Sequence, residues 1–242
     1  MTGMMCIMSL CFIIPIKLDA PDQSRYVLRC IESIRRVYTD ETIVLAIAHN
    51  SLPLNAEVDA NVLQVPNPFF STFGCLALFH RYRYATTALI LHDSAVVLGR
   101  LPPLQAGLQS VYHFIEPSLD RPRNEEGYKR LLTVPEWIDM TRAHTLGCFG
   151  NMIYIHQDAI EASGILRFIP LIKTKYDFEC MERILPYIAG KNGVLVGESM
   201  CGSIFHPIAD PWAHTEYATK TVDEFKRDGF PFVIGKCIVA RK

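Results

Sequence analysis

The stretch Ala88-Leu-Ile-Leu-His-Asp-Ser-Ala-Val-Val97 constrains this chain more than any other. It is an apolar run broken at one place, where His92, Asp93 and Ser94 stand side by side. Such a run reads as a buried strand of a parallel sheet, covered on both faces. An ionisable side chain at its end is not there for packing, because burying an unpaired carboxylate is costly. Ligands of open α/β sheets gather in the crevice outside the carboxyl ends of the strands. Asp93 is therefore placed to meet a ligand or a metal ion. The competing reading is an Asp that caps the following turn through its own backbone.

Upstream, the pattern predicts a parallel βαβ unit. A first apolar strand over residues 6–16 ends in Pro15-Ile16-Lys17-Leu18-Asp19. Pro21 and Asp22 lead into a helix with Ser24 as the expected N-cap. In it Tyr26, Val27, Cys30, Ile31, Ile34 and Val37 recur at helical spacing. Thr42 to Ala48 forms a second strand, ending in His49-Asn50-Ser51, and Asn61 to Val65 a third. A helix then runs from Phe69 to Tyr84, with Arg81 and Arg83 at its exit, and delivers the chain into the organising strand.

Beyond Gly99 the periodicity loosens. Pro117 to Glu126 reads as a charged surface loop, and residues 136–142 as a short helix. The segment from His144 to Ile155 is a strand entered through Gly147 and Gly150, glycines that allow a backbone to approach a ligand closely. Helices are expected over 157–163 and from Lys173 to Gly190, then a strand at 194–196. Phe205-His-Pro-Ile-Ala-Asp-Pro-Trp-Ala-His214 is the densest polar cluster near the C-terminus.

Half of the 242 residues are hydrophobic, 20% are charged and the net charge is −1, a composition able to bury a large core. With no basic excess to neutralise a phosphate backbone, nucleic acid is not expected as a partner. The eight cysteines are scattered and form no Cys-x-x-Cys pair, which reads as reduced, buried thiols in a cytoplasmic compartment. The apolar N-terminus resembles a signal segment. It lacks a preceding basic residue and a cleavage site, is too short to span a bilayer, and is read as a strand. No integral membrane segment is expected. Neither a dinucleotide fingerprint nor a phosphate-cradling Gly-Lys-Ser/Thr loop occurs.

The layout resembles the GT-A nucleotide-sugar glycosyltransferases. The features that carry the resemblance are the first strand ending in Pro15 to Asp19, the second ending in His49-Asn50-Ser51, and the Arg-bearing helix before Leu89-Ile-Leu-His-Asp-Ser94. In size and in this His-Asp-Ser variant the chain is similar to the small glycosyltransferases of large DNA viruses of the chlorovirus type, which would place it in host-cell cytoplasm. The resemblance implies one Rossmann-related three-layer α/β sandwich with a mostly parallel sheet. Residues 1–98 would be its nucleotide-sugar half and 99–242 its acceptor half. It implies transfer of a hexose or deoxyhexose from a nucleoside-diphosphate sugar, UDP-linked in the first instance, to a glycan or glycoconjugate. The nucleotide would lie on Pro15, Ile16, Lys17, Asp19, His49, Asn50, Arg81, His92, Asp93 and Ser94. The usual Asp-x-Asp is here His92-Asp-Ser-Ala95, with a single carboxylate. A Mn²⁺ or Mg²⁺ ion would thus bind Asp93 and need a later ligand, which the resemblance assigns to His206, with His214 as the alternative. Such an ion stabilises the charge developing on the diphosphate leaving group.

Asp177 and Glu179 resemble the acidic motif that opens the acceptor-side helix and are the candidate general bases. The bland reading of both is acidic residues favoured near a helix N-terminus. Gly147, Gly150 and Trp212 are candidates for the acceptor sugar. Trp137 and Trp212 are equally readable as interior residues, and His144 and His156 as packed ones. The same sequence also admits a catalytically silent nucleotide-sugar-binding protein and, less readily, a nucleotidyltransferase.

Overall fold

The computed structural model describes residues 9–65, 71–83, 85–115, 122–143, 146–211 and 213–237. At its centre β1 (Leu10–Ile16) lies between β2 (Thr42–Ala48) and β4 (Thr87–Ile90), all parallel. β3 (Asn61–Val65) extends the sheet beside β2. On the other side β9 (Ile153–His156) runs antiparallel between β4 and β6 (Leu108–Ser110), and β10 (Val196–Gly197) closes the edge parallel to β6. Among the described residues the order is β10-β6-β9-β4-β1-β2-β3, a mostly parallel seven-stranded sheet, and β7 (His113–Phe114) pairs antiparallel with β8 (Gly147–Cys148) outside it.

Alternation within β1 explains why its sequence is almost unbroken in hydrophobicity. Cys11 and Ile13 face one core, whereas Leu10, Phe12, Ile14 and Ile16 face the other. The first core is covered by α2 (Ser71–Tyr82), α3 (Pro122–Leu131), α4 (Val134–Arg142), α5 (Gln157–Ala162) and α6 (Lys175–Lys191). The second is covered by α1 (Ser24–Arg35) and by C-terminal segments around Cys201, Ile204 and Ile234. Two buried faces make three layers, and a strand in the middle one has no solvent side on which to place polar residues.

The details differ from expectation where turns outweigh periodicity. Ser24 is the first residue of α1 and not its cap, because a 3₁₀ turn over Pro21–Gln23 precedes it and Gln23 takes the cap position. Part of the expected charged loop is α3, while 116–121 lie outside the described residues. The strand expected over 194–196 is the short pair Val196–Gly197.

Past the organising strand the chain turns through His92-Asp93-Ser94 into β5 (Ala95–Val97), which leaves the main sheet. There it pairs antiparallel with β11 (Ile234–Lys236), so that Lys236 lies opposite Ala95. Ser33 of α1 seats this ribbon: its hydroxyl accepts from Val97 N–H at 2.9 Å and donates to the Cys30 carbonyl at 2.7 Å. Arg29 ties in the C-terminal segment by donating to the carbonyls of Tyr217, Ala218 and Lys220. Among the described residues no helix is long and apolar enough to cross a membrane.

Candidate active site at the carboxyl edge of the sheet

The tails of β1, β2 and β4 meet on one edge. Leu18 N–H donates to Ser51 Oγ and Leu52 N–H to the Leu18 carbonyl, both at 2.8 Å, and His49 N–H donates to Val65 O at 2.8 Å. These bonds bring Pro15 to Asp19 against His49 to Ser51. Lys17 and Asp19 form an ion pair with each other, while His49 and Asn50 are exposed. On the other flank of β1, Leu91 N–H donates to the Ile13 carbonyl at 3.0 Å, which places His92, Asp93 and Ser94 just past the end of β4. Asp93 is half-buried. Together with burial, which is the larger effect, its charge pushes the thiol of Cys30 on α1 far up.

The side chain that the sequence reading missed at this edge is Lys236. It is 8% exposed, sits opposite Ala95, and donates through Nζ to Ser94 Oγ. A charged ammonium is rarely buried this deeply without anionic or hydrogen-bonding company. A signal was present in the sequence: Phe230-Pro-Phe-Val-Ile-Gly-Lys-Cys237 is an apolar segment interrupted by one lysine. What the sequence could not supply was the antiparallel register that carries this lysine back to Ser94.

A second connection crosses from the organising turn to the distal half. His92 Nε2 lies 2.7 Å from the Gly150 carbonyl, and Gly150 N–H donates to Glu182 Oε1 at 2.9 Å. Gly150 has φ +63°, and a Cβ there would fall 2.5 Å from the His92 ring. At Gly147 a Cβ would meet the Phe114 ring at 2.2 Å. Both glycines do permit a close approach, but the groups that approach are side chains of this protein. Neither approach is evidence for an acceptor sugar.

The two acidic candidates on α6 part company. Asp177 is fully buried as the third residue of a capping box with Thr174. It accepts from the N–H groups of Lys173 and Thr174 at 3.0 and 2.8 Å and from the Thr174 hydroxyl at 3.0 Å, and it pairs with Arg130 of α3. Burial alone would raise this carboxyl; Arg130 and the cap donors more than offset it and hold it below the usual carboxylate range. The bland reading holds for Asp177, which presents no face to a substrate. Glu179 is half-buried, 3.7 Å from Lys175 Nζ, and precedes Glu182 by one turn on the same face of the helix.

Arg81 is also displaced from its expected place. Gln157 donates to the carbonyls of both His80 and Thr86 at 2.9 Å, so the exit of α2 lies at the amino end of β4, across the sheet from Asp93. Arg81 is exposed there over the Tyr82 ring. His206 packs edge-on against Phe232, and its Nδ1 accepts from Ile208 N–H at 3.3 Å. Leu98 N–H bonds Val233 O, so Phe232 marks the end of the β5–β11 ribbon opposite Lys236 and Ser94. His214 bonds Glu216 at 3.0 Å and Pro207 O at 2.8 Å. His156 is the N-cap of α5. Trp137 packs beside the first core under Lys129. Trp212 and His144 lie outside the described residues.

No protein-family model matches the sequence, and no curated protein matches it. Solved structures do. Core-mannan synthase A (CmsA/Ktr4) from Aspergillus fumigatus, in its Mn/GDP form, aligns at a TM-score of 0.45 and 8% identity over 78% of this chain and 72% of that one. The galactosyltransferase LgtC, in complex with donor and acceptor sugar analogs, aligns at a TM-score of 0.50 and 11% identity over 97% of this chain and 88% of its own. At such identities the likeness is one of fold. The α/β sandwich with its mostly parallel sheet is thus of the GT-A type.

Proposed function

We propose that the chain is a glycosyltransferase. It moves a hexose or deoxyhexose from a nucleoside-diphosphate sugar, UDP-linked in the first instance, to a glycan or glycoconjugate acceptor. The observation that carries this is the convergence of Asp93, Ser94 and the buried Lys236 just past the carboxyl end of β4, beside the joined tails of β1 and β2. This is the crevice where open α/β sheets take ligands. The fold shared with LgtC supports the reading by analogy, since sandwiches of this kind host other chemistries too.

The base and ribose lie along Pro15 to Asp19, His49 and Asn50, and the diphosphate lies at Asp93, Ser94 and Lys236. A divalent cation, Mn²⁺ or Mg²⁺, would be held by Asp93. Among the described residues no three His, Cys, Asp or Glu side chains converge, so oxygens of the diphosphate would have to supply further ligands. When bound, it stabilises negative charge on the departing nucleoside diphosphate. Lys236 adds a fixed positive charge on the same oxygens, held in place by Ser94 and shielded from water. Glu179 on α6 takes the proton of the acceptor hydroxyl. Residues 1–98 serve the donor and 99–242 the acceptor, except that β11 returns Lys236 to the donor side.

The absence of a second carboxylate in His92-Asp-Ser-Ala95 favours one other reading, a nucleotide-sugar binder without turnover. Thermal stabilisation by UDP and GDP with and without Mn²⁺, followed by donor hydrolysis, separates the two. A metal-dependent shift with turnover supports the enzyme. A shift without turnover supports the binder, and no shift with any nucleotide removes both.

A further inference from the structure

We propose that the place where the ends of α3 and of the 3₁₀ turn Ile165–Leu171 meet the starts of α4 and α6 is a docking surface for an anionic membrane. The proposal is independent of the glycosyltransferase reading.

Two ion pairs tie these four chain ends together. Arg130, in the last turn of α3, pairs with Asp177 in the first turn of α6. Arg167, in the 3₁₀ turn, pairs with Glu136 in the first turn of α4 at 2.7 Å. A third pair, Lys175 with Glu179, runs along α6 at 3.7 Å. In each of the three the acid is the shielded member, 0, 15 and 25% exposed, while its cation stands out at 52, 51 and 68%. Negative charge thus lies underneath and positive charge outermost. Lys173 adds an exposed ammonium that no carboxylate pairs among the described residues. Lys129 adds no net charge, because its partner Glu125 is as exposed as it is.

Apolar side chains stand among these cations. Val134 and Leu171 are exposed, as are Pro135 and Pro170 beside them. Such a mixture suits the interface of an anionic bilayer, where headgroups attract Lys and Arg and apolar side chains reach the acyl boundary. An acidic protein would attract the cations too. The cores of protein interfaces are depleted of lysine, however, and here Lys173 and Lys175 closely follow Leu171. The whole chain carries a net charge of −1, so attraction to an anionic surface belongs to this face and not to the molecule at large.

Co-sedimentation of the full-length protein with sucrose-loaded phosphatidylcholine vesicles, with and without phosphatidylglycerol, tests the proposal without any turnover. Binding should require phosphatidylglycerol and weaken as salt is raised. The double variant Lys173→Glu, Lys175→Glu should bind about tenfold or more weakly, since each lysine near such a surface is worth roughly fivefold in partitioning. Both positions are at the start of α6, where carboxylates suit the helix dipole, so the variant should keep its fold. The double variant Lys226→Glu, Arg227→Glu on α7 (Val222–Arg227) makes the same change in net charge elsewhere and should bind like the wild type. Val134→Ser with Leu171→Ser should also bind more weakly, with every charge retained. Three results would overturn the proposal: no binding to the anionic vesicles, equal binding to phosphatidylcholine alone, or equal losses in the α6 and α7 variants. Unchanged binding in the Val134 and Leu171 variant would overturn it as well. None of these outcomes bears on UDP binding, so the glycosyltransferase reading stands or falls separately.

Discussion

Gly150 is bonded on both sides of its Cα by residues from opposite halves of the protein: Glu182 receives its N–H at 2.9 Å, and its carbonyl receives His92 Nε2 at 2.7 Å. The residue is in the left-handed region with the imidazole where a Cβ would be. Gly193 has an even more positive φ of +82° but open space around it, which makes it a control for backbone strain alone.

Gly193→Ala should destabilise by about 1 kcal/mol, the usual penalty for an L-residue in this conformation. Gly150→Ala should lose about 2–3 kcal/mol, because displacing the His92 ring adds an overpacking cost. It should also weaken nucleotide binding, which Gly193→Ala should leave unchanged. Urea unfolding and UDP titration check both. Equal losses at the two positions would mean that the ring is not held by Gly150.

Asp177→Asn tests the assignment of that acid to the helix cap. The variant keeps the shape but loses the charge that pairs with Arg130, and should be less stable by about 2 kcal/mol at pH 7. The folded carboxyl titrates below its ordinary value, so its contribution is complete above the unfolded pKa of about 3.9 and is lost as pH falls through the folded pKa. The gap in Tm between wild type and variant should therefore be full at pH 5 and above, narrow as pH falls past the unfolded value and close below the folded one. A variant with unchanged stability but abolished turnover would return Asp177 to the catalytic role.

The sequence disclosed the parts of this fold whose stability is local or two-faced. Strands such as Thr42–Ala48 and Asn61–Val65 are bounded by the same residues in both readings, since their ends are set by polar turn residues and Pro66. The order of strands beyond β4 is set by long-range pairing. Nothing local to Ile153–His156 says that it runs antiparallel between β4 and β6. The same limit applied to the site. Asp93 and the tails of β1 and β2 could be read off strand ends. Lys236 depended on the register of a three-residue ribbon, and Arg81 was misplaced because a helix exit carries no sequence mark of which sheet edge it reaches.

Lys236→Met separates binding from folding. Taking the donor from the buried Ser94 hydroxyl should lower stability by about 1–3 kcal/mol, an effect that a UDP titration well below Tm keeps apart from binding. Affinity for UDP should fall by about tenfold, the loss of one charge-assisted contact to phosphate, worth about 1.5 kcal/mol. Lys236→Arg should not restore it, since the larger fork does not fit the space of a buried ammonium. An unchanged UDP affinity would remove Lys236 from the diphosphate site.

Glu179→Gln addresses the chemical step. Of the two acids named at the start of α6, Asp177 faces α3 through Arg130, whereas Glu179 shares a helix face with Glu182 and so with the Gly150–His92 connection. Its neighbour Lys175 is 3.7 Å away and largely exposed, and the loss of that pair by itself should cost no more than about 0.5 kcal/mol. Loss of a general base lowers turnover by roughly 10²–10⁴-fold, while donor binding, which Glu179 does not touch, should be unchanged. Measured transfer rates at saturating donor and acceptor, alongside UDP affinity, decide the point. A variant that retains more than about a tenth of wild-type turnover moves the proton acceptor elsewhere. Glu182 is the next residue on that face, and its substitution should disturb both turnover and the position of His92, a double effect that Glu179→Gln lacks.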